Sequence, residues 1–428
     1  MFKIFRRRAS FWQNYLINQK ILKIRITIVK SFFRYFLETD MGDTAVPTKE
    51  KQTNWKVAVL FFFLGWIFIY ADRMILNPVQ TLIRSEFALS NAEVGLISSI
   101  FFFTYTFLQV PSGILGDKFG KAKVIAFGFA VFGLFTGLTG VAGTFGILLL
   151  ARAMMGIGQG FYYGPQYGLS SELIPTKYRT LGSAIINSGQ AFGITLGLVA
   201  SSYIAFDLDG GWRMPFYVFA VPTVLIGLGI LLFVKEPKHD DKAVGEAEKP
   251  KFMDLLKNRN LVLTYLLVFC SLYGFFVMCT WLPVYLEEVR GIARSDTGFI
   301  SSLVAWTSIP AALLYGYISD KIGKRRPVIL CLLPLAACSI ILLLMTESRT
   351  LMITALVCYG FFGKLATDPL AIALIADNTP RNQLSTAFGI FNFVGMSSAI
   401  VAPYATGLLR DLTGSWNSGF MYPSAFSS

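Results

Sequence analysis

The chain has 428 residues, of which 54% are hydrophobic and only 15% charged, with a mean hydropathy of +0.58. That composition excludes a soluble globular protein and requires repeated apolar segments long enough to cross a bilayer. The net charge of +13 must therefore be read by position, and nucleic acid is not an expected partner.

Residues 1–54 are set apart. From Met1 to Leu37 the chain is basic and aromatic, without an acidic residue. This fits a membrane-surface helix, a transit peptide, or translated sequence lying ahead of a start at Met41. Apolar segments follow at about 55–83, 93–115, 122–141, 146–171, 180–205 and 213–234. A polar linker, 235–260, separates them from five more at about 261–286, 297–318, 327–346, 350–376 and 383–409. Basic residues crowd into alternate loops, whereas the opposite loops hold only Arg84, Arg213, Arg290, Arg294, Arg349 and Arg410. The positive-inside bias thus predicts a cytoplasmic N-terminus.

The cysteines (Cys270, Cys279, Cys331, Cys338 and Cys358) lie inside apolar runs with no CxxC pair, so neither a disulfide framework nor a metal site is expected. His239, the single histidine, sits in the linker. No nucleophile–base or phosphate-cradling constellation appears, and the sequence predicts neither an enzyme nor a cofactor.

Three basic residues fall within apolar segments: Arg73, Arg152 and Lys364. Arg152 lies about 12 Å into its helix and Arg73 about 15 Å from the outer end of its own, at ~1.5 Å per residue. An arginine so placed costs several kcal/mol unless it faces protein or a water-filled cavity. Two readings follow: a static ion pair within the bundle, or cations kept for an anion in a central cavity.

The two halves repeat. Gly113-x-x-x-Asp117-x-x-Gly120-Lys121 returns as Gly316-x-x-x-Asp320-x-x-Gly323-Lys324. Pro78 answers Pro283, Glu172 answers Asp377, Asn187 answers Asn392 and Trp212 answers Trp416, at offsets of 203 to 205 residues. A register held over half the chain indicates duplication, and two bundles with a site between them is a transporter architecture. The repeat implies a twelfth span from about Asn417, but the apolar character is lost near Ser428. The expectation is an all-α polytopic membrane protein of two six-helix bundles, here six plus five, with bundles at 55–234 and 261–428.

The GILGDKFGKAK loop and its echo GYISDKIGKRR resemble the signature loop of the major facilitator superfamily. Its role would be a releasable latch between halves, formed by Gly113, Asp117, Gly120, Lys121, Gly316, Asp320, Gly323 and Lys324. Tyr70-Ala-Asp72-Arg73, Arg152-x-x-x-Gly156 and Gly211-Trp212-Arg213-x-x-Phe216 narrow the resemblance to the anion:cation symporter family. That family carries hexuronates, sugar acids and other organic anions, usually with a proton or another cation. The resemblance implies a monomer in the plasma membrane (a bacterial inner membrane), with a substrate pocket at Tyr70, Arg73, Tyr105, Arg152, Gln190 and Asn392. Guanidinium forks suit carboxylates, while phenol and amide groups suit hydroxyls. Tyr273, Trp281 and Trp306 are further candidates for the cavity wall.

Two positions depart from the family pattern. Gln159 stands where a buried, titratable glutamate is usual, which leaves Asp72 as the candidate for proton coupling or as a static counter-ion to Arg73. In the repeat Gln159 corresponds to Lys364, which Asp368 can pair at i+4. Lys364 is either a second cation for a doubly charged substrate or half of a neutral structural pair. Two other functions stay open at this point: an organophosphate:phosphate exchanger, and a membrane sensor that binds without transporting.

Overall fold

The computed structural model describes residues 55–175, 178–236, 257–379 and 384–416. The expectations for residues 1–54, for the middle of the linker and for a twelfth span fall outside these, as do the side chains of Asp117 and Asp320. Among the described residues all regular structure is helical, and eleven stretches are long and apolar enough to span a membrane.

In chain order the helices are α1 (Trp55–Met74), α2 (Gln80–Phe87), α3 (Asn91–Phe119), α4 (Lys121–Val141), α5 (Phe145–Gly160), α6 (Tyr163–Leu173), α7 (Arg179–Ser202) and α8 (Met214–Phe233). After the linker come α9 (Arg259–Glu288), α10 (Arg294–Ile322), α11 (Arg326–Met345), α12 (Arg349–Phe362), α13 (Lys364–Asn378) and α14 (Leu384–Thr413). Three spans are interrupted. The first breaks between α1 and α2, where Pro78 sits in a 3-10 turn over Asn77–Val79. The fourth breaks between α5 and α6, with Pro165 in the first turn of α6, where no intrahelical donor is needed. The tenth breaks at Gly363, whose backbone is extended between α12 and α13.

Glycines decide how closely the spans approach. On α7, a Cβ added at Gly189, Gly193 or Gly197 would fall 2.6, 2.3 and 2.3 Å from the carbonyl oxygens of Phe63, Ile67 and Ala71 on α1. This stripe brings α7 against the backbone of α1. Helix α8 packs on α4 and α1, and α14 on α9.

The repeat read from sequence is also a repeat of contacts. Trp212 donates its indole N–H to Glu86 at 2.7 Å, and Trp416 to Glu288 at 2.9 Å. Lys121 pairs with Glu172 at 2.7 Å, and Arg325 with Asp377 at 2.6 Å. Both ion pairs lie within a half, at the end bearing the basic loops.

At the opposite end the halves lock together. Asn77 donates to the Cys279 carbonyl at 2.9 Å, Gln80 to that of Thr280 at 3.1 Å, and Thr81 to Glu287 at 3.0 Å. Arg84 and Glu288 form an ion pair. Asp411 of α14 accepts from the Ala92 backbone N–H at 2.8 Å and from the Asn91 side chain at 2.8 Å, so one half caps a helix N-terminus of the other.

Candidate functional site

Between the halves, on the basic-loop side of this lock, lies a cavity of about 610 Å³. Its wall comes from both halves: Tyr70 and Arg73 of α1, Tyr105 of α3, Tyr163 and Tyr167 of α6 and Gln190 of α7 face Lys364 and Asp368 of α13 and Asn392 of α14. The volume suits a small molecule, and the wall is largely apolar and aromatic with a few polar groups, as such sites usually are.

Arg73 is in the last turn of α1, where the helix dipole favours a cation. Its side chain is caged by rings, with the guanidinium carbon 4.4 Å from the Tyr105 centroid and 4.8 Å from that of Tyr70. Phe101 and Phe102 each lie at 5.7 Å. Nε donates to Gln159 Oε1 at 2.9 Å, while Nη2 finds no partner among the described residues. The cage holds the fork in place by cation–π attraction and leaves one N–H edge unsatisfied.

Arg152 is placed differently from the sequence expectation. It is 1% exposed and does not line the cavity. Its Nη1 lies 3.7 Å from Met155 Sδ, and its guanidinium is 5.4 Å from the Phe101 ring, the ring that also faces Arg73. Asp72 is fully buried behind the cavity wall, accepting from Thr136 at 3.0 Å and from Gln159 at 3.5 Å, with Arg152 and Arg73 in coulombic reach. Adjacent helical residues diverge by about 100°. Tyr70 and Arg73, three apart, therefore share the cavity face, while Asp72 turns into the bundle. Gln159 bridges the two, accepting from Arg73 and donating toward Asp72.

Gln190 and Asn392 both line the cavity, and Asn392 donates across the halves to Gln109. Lys364 and Asp368 line it as well, 2.7 Å apart. Of the aromatic candidates, none reaches the wall. Trp281 is buried at the locked end, donating to the Pro403 carbonyl at 3.1 Å; Trp306 packs edge-on to Phe192, and Tyr273 is tilted against Phe269. Sequence reasoning missed Trp66, Tyr163, Tyr167 and Asn187. Tyr167 donates to Asn187 at 2.8 Å; the pairing of Asn187 with Asn392 in the repeat was the available signal.

The loop glycines Gly120 and Gly323 adopt positive φ, 98° and 67°, a backbone conformation that favours glycine. Lys121 binds Glu172 of its own half, and Gly113 and Gly316 have open space around them. The Lys121–Glu172 pair joins two elements of the N-terminal half.

Residues 62–403 match the Major Facilitator Superfamily. The chain belongs to this superfamily. It is a multi-pass membrane protein of a transporter family, not an enzyme family. It is 27% identical over 426 residues to the probable galactarate/D-glucarate transporter GudP of Bacillus subtilis, covering 91% of this chain and 92% of the relative. It is 30% identical over 393 residues to the cis,cis-muconate transport protein of Acinetobacter baylyi, covering 87% and 91%. Among solved structures, a D-xylose-proton symporter superposes with a TM-score of 0.72 at 15% identity, covering 87% of this chain and 95% of that one; this likeness carries the fold. The superfamily expected from the loop motifs is thus met.

Proposed function

We propose that this chain is a secondary transporter for a small organic anion of the sugar-acid type, belonging to the anion:cation symporter branch. It works by alternating access with a proton as the coupling ion, as a monomer in the plasma membrane with the basic loops cytoplasmic. The observation that carries this reading is Arg73: a caged guanidinium at the wall of a 610 Å³ cavity, with Nη2 unpartnered among the described residues. A planar fork so held pairs with a carboxylate bidentately. Tyr70, Tyr105, Gln190 and Asn392 would read hydroxyl groups around it. Organic-acid relatives support the class of cargo. The lock at one end, with the cavity on the other side of it, corresponds to one of the two states that alternating access requires.

Uptake of sugar acids into proteoliposomes tests the reading. Arg73→Ala should abolish uptake, and Arg73→Lys should retain only a small part, because an ammonium lacks the fork. An inside-alkaline pH gradient should accelerate uptake. Uptake of every carboxylate undiminished in Arg73→Ala, or inhibition by inorganic phosphate with no carboxylate moved, would reject the assignment.

A further inference from the structure

Arg73 accounts for one anionic group of a cargo, which leaves the Lys364–Asp368 pair without a task. Both residues line the cavity from α13, in the half opposite Arg73. The lysine side chain is 9% exposed and the aspartate 28%, with Nζ 2.7 Å from Oδ2. A half-buried pair of this kind is weak evidence of a stabilising role, since apolar side chains of similar volume would serve as well.

Its position points elsewhere. Lys364 is the first residue of α13, directly after the break at Gly363, so its ammonium adds to the positive end of the helix dipole. The Phe275 ring lies 5.6 Å from Nζ. The Tyr70 hydroxyl is within coulombic reach of Arg73 and Tyr105 in its own half and of Lys364 and Asp368 in the other. Tyr70, Arg73 and Lys364 line the same void, with the Arg73 guanidinium 4.8 Å from the Tyr70 ring.

Charge balance decides the use. Inside the cavity, Arg73 and Lys364 are positive and Asp368 negative, while Asp72 and Arg152 offset each other behind the wall. One positive charge is left over, which matches a monocarboxylate. A dicarboxylate leaves the site negative unless a carboxylate of the protein is neutralised, and an uncompensated charge in such surroundings is costly. Gln159 cannot titrate and Asp72 is shut behind the wall. Asp368 is on the wall.

We propose that Lys364 takes the second carboxylate of a dicarboxylate sugar acid, and that Asp368, displaced from Lys364, takes up the proton that travels with it. This rests on the reading of the cavity as an organic-anion site. In the step, a cargo carboxylate oxygen replaces Asp368 Oδ2 at Nζ, and one proton from the compartment of entry adds to the freed carboxylate. When the cargo leaves on the other side, the proton is released there and the Lys364–Asp368 pair re-forms; the lysine keeps its charge throughout. The titratable groups around Asp368 are Tyr70, Arg73, Tyr105, Tyr163 and Tyr167 across the void. Cys279 of α9 is in coulombic reach of Lys364, and Cys270 of α9 and Tyr359 of α12 border a small void beside it. Helices α10 and α14 bring Ser308 and Asn392 to the wall, neither of which titrates.

The full chain in proteoliposomes, offered galactarate and the hexuronate of the same sugar, tests the assignment. Lys364→Gln should lower the galactarate-to-hexuronate uptake ratio by about tenfold, the scale of one lost charge-assisted pair, and Lys364→Arg should restore it. Asp368→Asn should bring the acceleration of galactarate uptake by a pH gradient down to a factor of one. If Lys364→Gln is not recovered folded, the double variant Lys364→Gln/Asp368→Asn keeps a neutral hydrogen-bonding pair and gives the same ratio readout. An unchanged ratio, or a gradient response that persists in Asp368→Asn and disappears in Asp72→Asn, overturns the proposal. Arg73-dependent hexuronate uptake without galactarate uptake sinks this proposal alone. No flux of any carboxylate in the unaltered chain sinks the transport reading together with it.

Discussion

Arg73 and Arg152 are the same residue type at similar depth, yet they meet opposite surroundings. Arg73 has aromatic faces and a glutamine carbonyl and lines the cavity, with Nη2 unpartnered among the described residues; Arg152 has a thioether, the Phe101 ring and the nearby Asp72 carboxylate. The first stands on the cavity wall, where an anion can reach it, while the second sits off the wall with the Asp72 carboxylate in reach. Removing a cation near a buried carboxylate leaves that charge less compensated, which is costly. Arg152→Ala alone should therefore lower thermal stability strongly, and the double variant Arg152→Gln/Asp72→Asn should recover much of the loss. A double-mutant cycle on the melting temperature measures that coupling. Additive losses would mean that the two residues do not act as a pair.

At the scale of elements, the placing of Arg73 depends on α7. The Gly189, Gly193 and Gly197 stripe lets α7 touch the α1 backbone, and a Cβ on Gly193 would come within 2.3 Å of the Ile67 carbonyl oxygen and 2.8 Å of Tyr70 Cβ. Neither a backbone oxygen nor a Cβ can move away without shifting α1. Gly193→Ala should cost about 1–3 kcal/mol, the usual price of overpacking, and should lower uptake as well, because Tyr70 and Arg73 move with the helix. The same substitution at Gly143, where nothing lies within 4 Å, is the control. Equal melting temperatures for the two variants would argue against the stripe.

For the whole molecule, the question is what holds one end shut. Close approach there relies on glycines that cross between the halves: a Cβ at Gly407 would lie 2.2 Å from the Asn91 carbonyl oxygen, and one at Gly298 2.1 Å from that of Leu198. Interhelical hydrogen bonds and the Arg84–Glu288 pair complete the lock, and rim charges of this sort contribute little each. The backbone-level fit thus governs closure more than the ion pair. Gly407→Leu should keep this end open, lengthening the distance between spin labels on Ser85 and Val289, whereas Glu288→Gln should change that distance little. The reverse outcome would make the ion pair the gate.

Much of this was legible without coordinates. Hydropathy alone counts the spans, because each must satisfy its backbone within apolar surroundings. The internal repeat indicates two related halves, and charged residues inside apolar runs mark candidates for the site, since each must either be paired or face a cavity. Composition and spacing could not say which of those charges meets water. That depends on helix rotation: one step of 100° separates Arg73 on the cavity wall from Asp72 behind it. It depends also on packing, through the Phe101 ring that faces both arginines while only one opens to the void. Neighbours in sequence become strangers in space for that reason, and only the tertiary structure decided which cation faces the cavity.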